Sequence, residues 1–555
     1  MFTKRNALMM GILFILLFTS ACGAAATQAP AATENPSYNY APEELAATEA
    51  PAATENPSYS DNPEWPASTE APAAEAPAAG YSSDQPLPNS NPSIPPSNRQ
   101  PYDMFFENYG VNPSIETQDD HLSTFALDVD TGSYTVMRNY LSDGNLPPSD
   151  SVRVEEYVNY FDQGYANPSP HQAFGINMDG APSPFTQSER YQMVRVGIQG
   201  YQVPDYERKN ASLTFVIDVS GSMDMDNRLG LVKRSLELLV EQLGPRDSVG
   251  IVVYGSDARV VLESTSGSDK GRILVAIYSL HPEGATNAEA GIRLGYQMAM
   301  LAFNPEGINR VIVCSDGVAN VGVTGPDAIL EEVRHYVEEN VTLTTIGFGM
   351  DNYNDVLMEQ LADNGQGFYA YVDDMREARR LFIDQITGTL QTIAMNAKVQ
   401  VDFNPEVVKR YRLVGFENRA IADNQFRNNT VDAGEIGAGH SVTALYEVKL
   451  YPEAYGNIAT VFMRWQDPDT RQVVELSKDF NTSELTRDFE SADPYFQRSV
   501  VVAEYAEILK ESYWAEESSL RYVYHEAERI SELLPPDEDM SEFMELIRRA
   551  SHLTD

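Results

Sequence analysis

The chain has 555 residues, with 82 acidic against 39 basic side chains, a formal charge of −43 and two cysteines. That balance excludes nucleic acid as a partner, since nucleic acid needs a basic footprint, and it argues against an anionic membrane surface as a ligand in its own right. Two cysteines make no disulfide framework, and a chain this long can bury a core that stands without one.

Residues 1–22 read as an address. Lys4 and Arg5 precede an apolar run from Ala7 to Phe18, followed by Thr19, Ser20, Ala21 and Cys22. The run falls short of the roughly 20 apolar residues a spanning helix needs. A basic start, a short apolar centre and small residues at the end make a secretory signal peptide. Cys22 directly after Ala21 resembles a bacterial lipobox, although Thr19 stands where that pattern most often has Leu. The resemblance implies a lipid on Cys22 and an extracytoplasmic protein anchored in the cell membrane. Gly23 is not an Asp retention signal, which in a two-membrane bacterium favours the outer membrane.

Residues 23–100 are Ala, Pro, Glu, Thr, Ser, Asn and Tyr for the most part, with no Lys or Arg between Arg5 and Arg99. The nonapeptide from Pro30 to Tyr38 recurs from Pro51 to Tyr59. Such a composition buries too little apolar surface to offset its conformational entropy, and proline keeps it extended. It reads as a disordered, semi-stiff tether.

Residues 101–210 are expected to form a small α+β region. A strand is predicted over Thr124–Val129, helices over Tyr134–Leu141 and Val152–Phe161, and a half-buried strand over Tyr191–Ile198. Asp130-Thr131-Gly132-Ser133 spells the aspartic-protease tetrapeptide, but no second copy exists in the chain. Two aspartates sharing a proton are required for that chemistry, so a hydrolase using Asp130 demands a dimer. A capped turn is the simpler expectation.

Residues 211–395 alternate strand and helix, the pattern of a parallel sheet wrapped on both faces. Leu213 to Val219 is an apolar run interrupted near its end by Asp218, and Ser220-Gly221-Ser222 follows. Predicted next are a helix over Arg228–Leu243, a strand over Ser248–Tyr254, a short edge strand over Arg259–Leu262 and a helix over Ile273–Leu280. Gly284-Ala285-Thr286-Asn287 opens a helix from Ala288 to Phe303, and Val311 to Asp316 repeats the scheme of a buried strand ending on an aspartate. Later strands are placed at Val341–Gly347 and Phe368–Val372, with one closing helix from Met375 to Ile393. Loops at the carboxyl ends of such strands are where ligands bind in open α/β sheets. Carboxylates and hydroxyls form a hard, oxygen-only donor set, suited to Mg²⁺ or Ca²⁺ rather than zinc. The D-x-S-x-S loop, then Thr, then Asp resembles the metal-ion-dependent adhesion site of von Willebrand factor type A (VWA) domains. That resemblance implies a doubly wound, mostly parallel, Rossmann-like sheet. It also implies that Asp218, Ser220, Ser222, Thr286 and Asp316 hold Mg²⁺ (or Mn²⁺ or Ca²⁺), with one position left for an Asp or Glu of a protein partner. No His stands in His-Glu-x-x-His spacing and Ser220 has no evident base, so binding rather than catalysis is expected.

Residues 396–485 read as a β-rich module, with strands at Val399–Phe403, Val442–Val448 and Thr460–Trp465. Residues 486–555 read as an acidic helical segment, with helices from Phe496, near Arg521 and over Met540–Leu553. The flanks carry a narrower likeness. Glu155-Glu156-Tyr157-Val158-Asn159-Tyr160-Phe161 before the VWA stretch, with Asn404-Pro405-Glu406-Val407-Val408 and Tyr411 to Arg419 after it, resembles the YfbK-type bacterial VWA lipoproteins. The likeness implies the fold and the cation site but no mechanism. A cation that only locks the loops of an envelope scaffold is the alternative within binding proteins.

Overall fold

The computed structural model describes residues 106–127, 129–186, 191–225, 228–317, 326–349, 355–431 and 433–554. The signal peptide, Cys22 and the tether lie outside the described residues.

The chain opens with β1 (Ile115–Glu116), β2 (Leu122–Ala126), α1 (Gly132–Ser142), α2 (Val154–Asn159), β3 (Phe174–Pro182) and β4 (Tyr191–Gly200). The VWA stretch follows as β5 (Ala211–Asp218), α3 (Leu229–Gln242), β6 (Ser248–Tyr254), β7 (Ala258–Ser266), α4 (Lys270–Tyr278), α5 (Ala288–Leu301), β8 (Ile308–Ser315), α6 (Pro326–Glu338), β9 (Thr342–Phe348), α7 (Asp355–Asn364), β10 (Tyr369–Val372), α8 (Met375–Arg379) and α9 (Ile386–Leu390). Its sheet runs β10-β9-β8-β5-β6-β7, parallel throughout except for the antiparallel edge strand β7. Strand β5 lies at the centre and is buried along its whole length. Phe215 and Ile217 belong to the core on one face, together with Leu236 and Leu239 of α3, while Val216 packs on the other with Ile292 and Tyr296 of α5. A continuous apolar run is what a strand covered on both faces requires. On β8, the thiol of fully buried Cys314 is free and is pushed up in pKa by that burial.

The closing helix is not the single rod the periodicity predicts. It breaks into α8, a π turn over Arg380–Asp384 and α9, and Thr392 and Ile393 already belong to the next strand. A wider turn fits the anchoring of Arg380, whose guanidinium lies 3.8 Å from the Tyr160 ring centroid and donates to the Tyr160 carbonyl.

Beyond it come β11 (Thr392–Phe403), β12 (Val408–Val414), β13 (Gly434–Gly437), β14 (Ser441–Leu450), β15 (Asn457–Gln466) and β16 (Val473–Asn481), then α10 (Pro494–Leu509), α11 (Leu520–Ser531) and α12 (Glu538–Thr554). One antiparallel sheet runs β1-β12-β14-β4-β3, and a second runs β13-β11-β15-β16 with β2 also on β11. Their facing sides share one apolar core that includes Phe174, Val194, Val196, Val399, Val461 and Trp465. The expected separation into an α+β region over 101–210 and a β-rich module over 396–485 is therefore corrected. Strands β1 to β4 complete both sheets of the later module, so the VWA stretch is inserted into a sandwich built from its two flanks.

Strand β4 is corrected too, from half-buried to buried on both sides. Val194, Val196 and Ile198 face the sandwich core, whereas Met193 joins the helical core formed by α1, α2 and α10 to α12. On that second side Arg195 is fork-bonded to Asp179 at 2.9 and 2.6 Å and lies over the Phe496 ring at 5.8 Å. A buried polar residue with a partner leaves the alternation of a surface strand in the sequence while both faces are covered.

Candidate functional site

Strands β5 and β8 are neighbours, with Ile217 opposite Cys314, so their carboxyl ends place Asp218 and Ser315-Asp316 side by side. Asp218 is fully buried. Its Oδ1 accepts the Ser220 N–H at 2.8 Å, the Asx turn that bends the chain out of the strand, and its Oδ2 accepts the Ser315 hydroxyl at 3.0 Å. The Ser220 and Ser222 hydroxyls lie 3.0 Å apart. Asp316, 6% exposed, also faces the Ser222 hydroxyl. Four of the five expected residues are thereby brought into one cluster at the top of the sheet.

Thr286 arrives on the third loop. Gly221 N–H donates to the Gly284 carbonyl at 3.2 Å, and Glu283 N–H donates to the Val219 carbonyl, which ties this loop to the first one. Gly284 holds φ +77 with Ser256 against it, so a side chain there would be strained and crowded. Asn287 caps α5 by accepting the Ala290 N–H at 3.2 Å. Thr286 itself is half-buried between these fixed points.

Electrostatics mark the cluster as a place for positive charge. Burial raises the carboxyl of Asp218 to about 6, against the pull of the Ser220 hydrogen bonds, and the Asp316 charge pushes it the same way. Asp316 is also raised by burial, with Ser222 and Arg228 opposing. Across β6, in register with Asp218, the fully buried Tyr254 is held well above its usual value by burial and then by the Asp218 charge. Two carboxylates partly stripped of water could hold a hard cation, with the Ser220 and Ser222 hydroxyls as neutral oxygens beside them and Thr286 on the neighbouring loop. Among the described residues, no group of three or more His, Cys, Asp or Glu side chains is placed to hold a metal. Any cation at this end of the sheet would have to be held by the mixed set of hydroxyls and carboxylates.

Three members of the site were not visible as a motif. Ser315 bridges Asp218 and the Gly317 N–H, Tyr254 backs the cluster, and Arg228 enters it from the start of α3. Arg228 donates from Nη1 to Asp316 Oδ2 at 2.6 Å and to the Ser222 carbonyl at 2.6 Å. Only contiguity in the sequence could have hinted at Arg228, and Ser315 reads as a strand residue.

Asp130 has a structural role instead. It is 4% exposed, accepts the Tyr369 N–H at 3.1 Å and lies 3.6 Å from Arg419. A carboxylate enclosed in its own chain in this way is not available to share a proton across a dimer, and the hydrolase alternative is set aside.

The family model described as "von Willebrand factor type A domain" matches residues 212–385, "Uncharacterized protein YfbK, C-terminal" matches 388–456 and "von Willebrand factor" matches 100–195. The chain is 40% identical over 390 residues to YfbK of Escherichia coli K12, covering 68% of this chain and 66% of that protein. It thus spans just under two thirds of the length of that relative. It is 27% identical over 312 residues to sll0103 of Synechocystis, covering 54% of this chain and 71% of that one. Against inter-alpha-trypsin inhibitor heavy chain H1 of Sus scrofa the identity is 31% over 193 residues, or 33% of this chain and 21% of the other. A solved von Willebrand factor type A protein from Catenulispora acidiphila covers 67% of this chain and 89% of its own at 16% identity, with a TM-score of 0.41.

Proposed function

We propose, from the premise that this chain belongs to the YfbK-type von Willebrand factor type A family, that it binds a protein partner outside the cytoplasm through a divalent cation. The cation would be held by Asp218, Ser220, Ser222, Thr286 and Asp316, with Mg²⁺ the leading choice and Mn²⁺ or Ca²⁺ as substitutes. When bound, it supplies a Lewis-acidic position for an Asp or Glu side chain of the partner. The chain's own residues do the rest. Asp218 and Asp316 supply negative charge from a buried floor, the hydroxyls orient their oxygens around it, and Ser315 and Arg228 keep the carboxylates in place.

The observation that carries this reading is the contrast in exposure within one cluster. Asp218, Ser220 and Asp316 are buried, Thr286 is half-buried and Ser222 is exposed. Among the described residues the donor set is closed at Asp218, Ser220 and Asp316 and exposed at Ser222, where a partner can approach. A purely structural ion would favour enclosure on every side. Substituting Ser222→Ala removes an exposed hydroxyl and should leave the melting temperature in chelator within a degree or two. Calorimetric titration with Mg²⁺ should show affinity weakened about tenfold or more. An unchanged titration would count against the site, and lost binding in a protein that no longer melts cooperatively would favour a scaffold ion.

The cluster lies at the carboxyl end of the VWA sheet, and the anchor proposed on Cys22 would tether that domain to a membrane through the Pro-rich stretch. Cys22→Ser should abolish incorporation of labelled palmitate and release the protein from the membrane fraction. Labelling that persists in the variant would refute the anchor.

A further inference from the structure

Arg228 is a built part of the cluster. It is 3% exposed, and its guanidinium reaches two loops at once, at 2.6 Å from Asp316 Oδ2 and 2.6 Å from the Ser222 carbonyl. Its aliphatic stem lies on Gly349, just past β9, where a Cβ would come 2.5 Å from the arginine Cγ. Gly349 also holds φ +83, so only glycine meets both demands without strain. The Ser222 carbonyl, the Gly349 backbone and the Asp316 carboxylate thus fix where the positive charge sits.

We infer that Arg228 is the specificity-determining residue of this site, an internal cation that weakens loading by the bare metal and makes the loaded site favour an acidic ligand. The inference rests on the cation-binding reading above and follows from charge. Asp218 and Asp316 bring two negative charges, and Arg228 neutralises one of them. A divalent ion on that residual single negative charge leaves a net positive site, which one partner carboxylate returns to neutral. Without the arginine, the same ion already neutralises the two aspartates, and a further carboxylate enters against no net attraction. In a partly desolvated site, charges a few ångströms apart interact strongly enough for one unit of charge to change affinity about tenfold or more. Arg228 therefore trades affinity for the ion alone against affinity for the ion together with an acid.

The test compares full-length wild type with Arg228→Gln at pH 7.5, by calorimetric titration with Mn²⁺ alone and then with Mn²⁺ in the presence of acetate. Arg228→Gln should bind Mn²⁺ at least about tenfold more tightly than wild type. Acetate should tighten Mn²⁺ binding in wild type and have little effect in the variant. Arg228→Lys keeps the charge but not the two-pronged reach, so it should fall between the two, and it carries the comparison if the glutamine variant does not melt cooperatively. Equal or weaker Mn²⁺ affinity in these variants would overturn the role given to the arginine while leaving the site standing. Acetate acting alike on wild type and variant would do the same. Absence of Mn²⁺ binding in wild type and variant alike would overturn the cation site, and the arginine's role with it.

Discussion

Replacing Arg138 with alanine is expected to lower the unfolding free energy by about 3–5 kcal/mol, the cost of stranding buried charge. Arg138 sits on α1 and is 3% exposed. Its guanidinium grips Asp373 with two prongs at 2.6 and 2.7 Å, reaches Glu377 of α8 at 3.3 Å and donates to Glu542 of α12 at 3.0 Å and to the Tyr160 hydroxyl at 2.8 Å. One side chain therefore joins the amino-terminal helices, the carboxyl end of β10 in the VWA sheet and the last helix of the chain. Burial raises the carboxyls of Asp373 and Glu377, and Arg138 is among the charges that hold them down. With the arginine gone, each must stay charged with less compensation or take up a proton. The deficit should be read from urea unfolding at pH 7 and should shrink at lower pH as the stranded carboxyls protonate. Pairing Arg138→Met with Asp373→Leu should recover only the part of the loss that comes from stranding Asp373, because Glu377 then keeps Arg380 alone as a compensating charge. A loss below about 1 kcal/mol for the alanine variant would mean that water reaches the cluster, contrary to its burial.

The elements that could be read along the chain were those whose signal is local. Strands β5 and β8 declare themselves as apolar runs ending on oxygen-bearing loops, and Asp218, Ser220, Ser222 and Asp316 fall together because adjacent parallel strands end at the same level. Thr286 is legible for a related reason, since its loop opens α5. What stayed hidden needs contacts between distant parts of the chain. Nothing near Tyr191 says that β4 pairs with β14, about 250 residues on, or that α10 will cover its second face; alternation predicts a wet side that the fold then buries. The break in the closing helix falls where Arg380 packs on Tyr160, far upstream, a contact that leaves no mark in the helical periodicity. Arg228 has no motif at all. A single guanidinium becomes part of a site only when β8 delivers Asp316 to it.

Burial makes an ionised Asp218 costly in the metal-free protein, so Asp218→Asn should stabilise it. The folded carboxyl lies at about 6 against an ordinary 3.8, and a shift of that size corresponds to at most about 3 kcal/mol. Because the folded value is raised, the acid form carries the favourable contribution. It is fully present below about pH 4 and is lost as pH rises through about 6. Metal-free wild type should therefore forfeit this contribution between those limits, whereas the asparagine variant should not. Asparagine keeps an oxygen for the Ser220 N–H and can donate to the Ser315 hydroxyl, so the turn and the bridge between strands survive. Chemical denaturation in chelator at pH 7.5 should show the variant more stable by about 1–3 kcal/mol, and the gap should close by pH 4. Adding Mg²⁺ should reverse the order, because only wild type gains the stabilisation that follows from ligand binding to the native state. A variant less stable than wild type in chelator at pH 7.5 would show that the carboxylate is already compensated in the metal-free fold, with its hydrogen bonds from Ser220 and Ser315 meeting its charge unaided. If the variant is more stable but Mg²⁺ fails to stabilise wild type, the strain at Asp218 is real and the ion is not what relieves it.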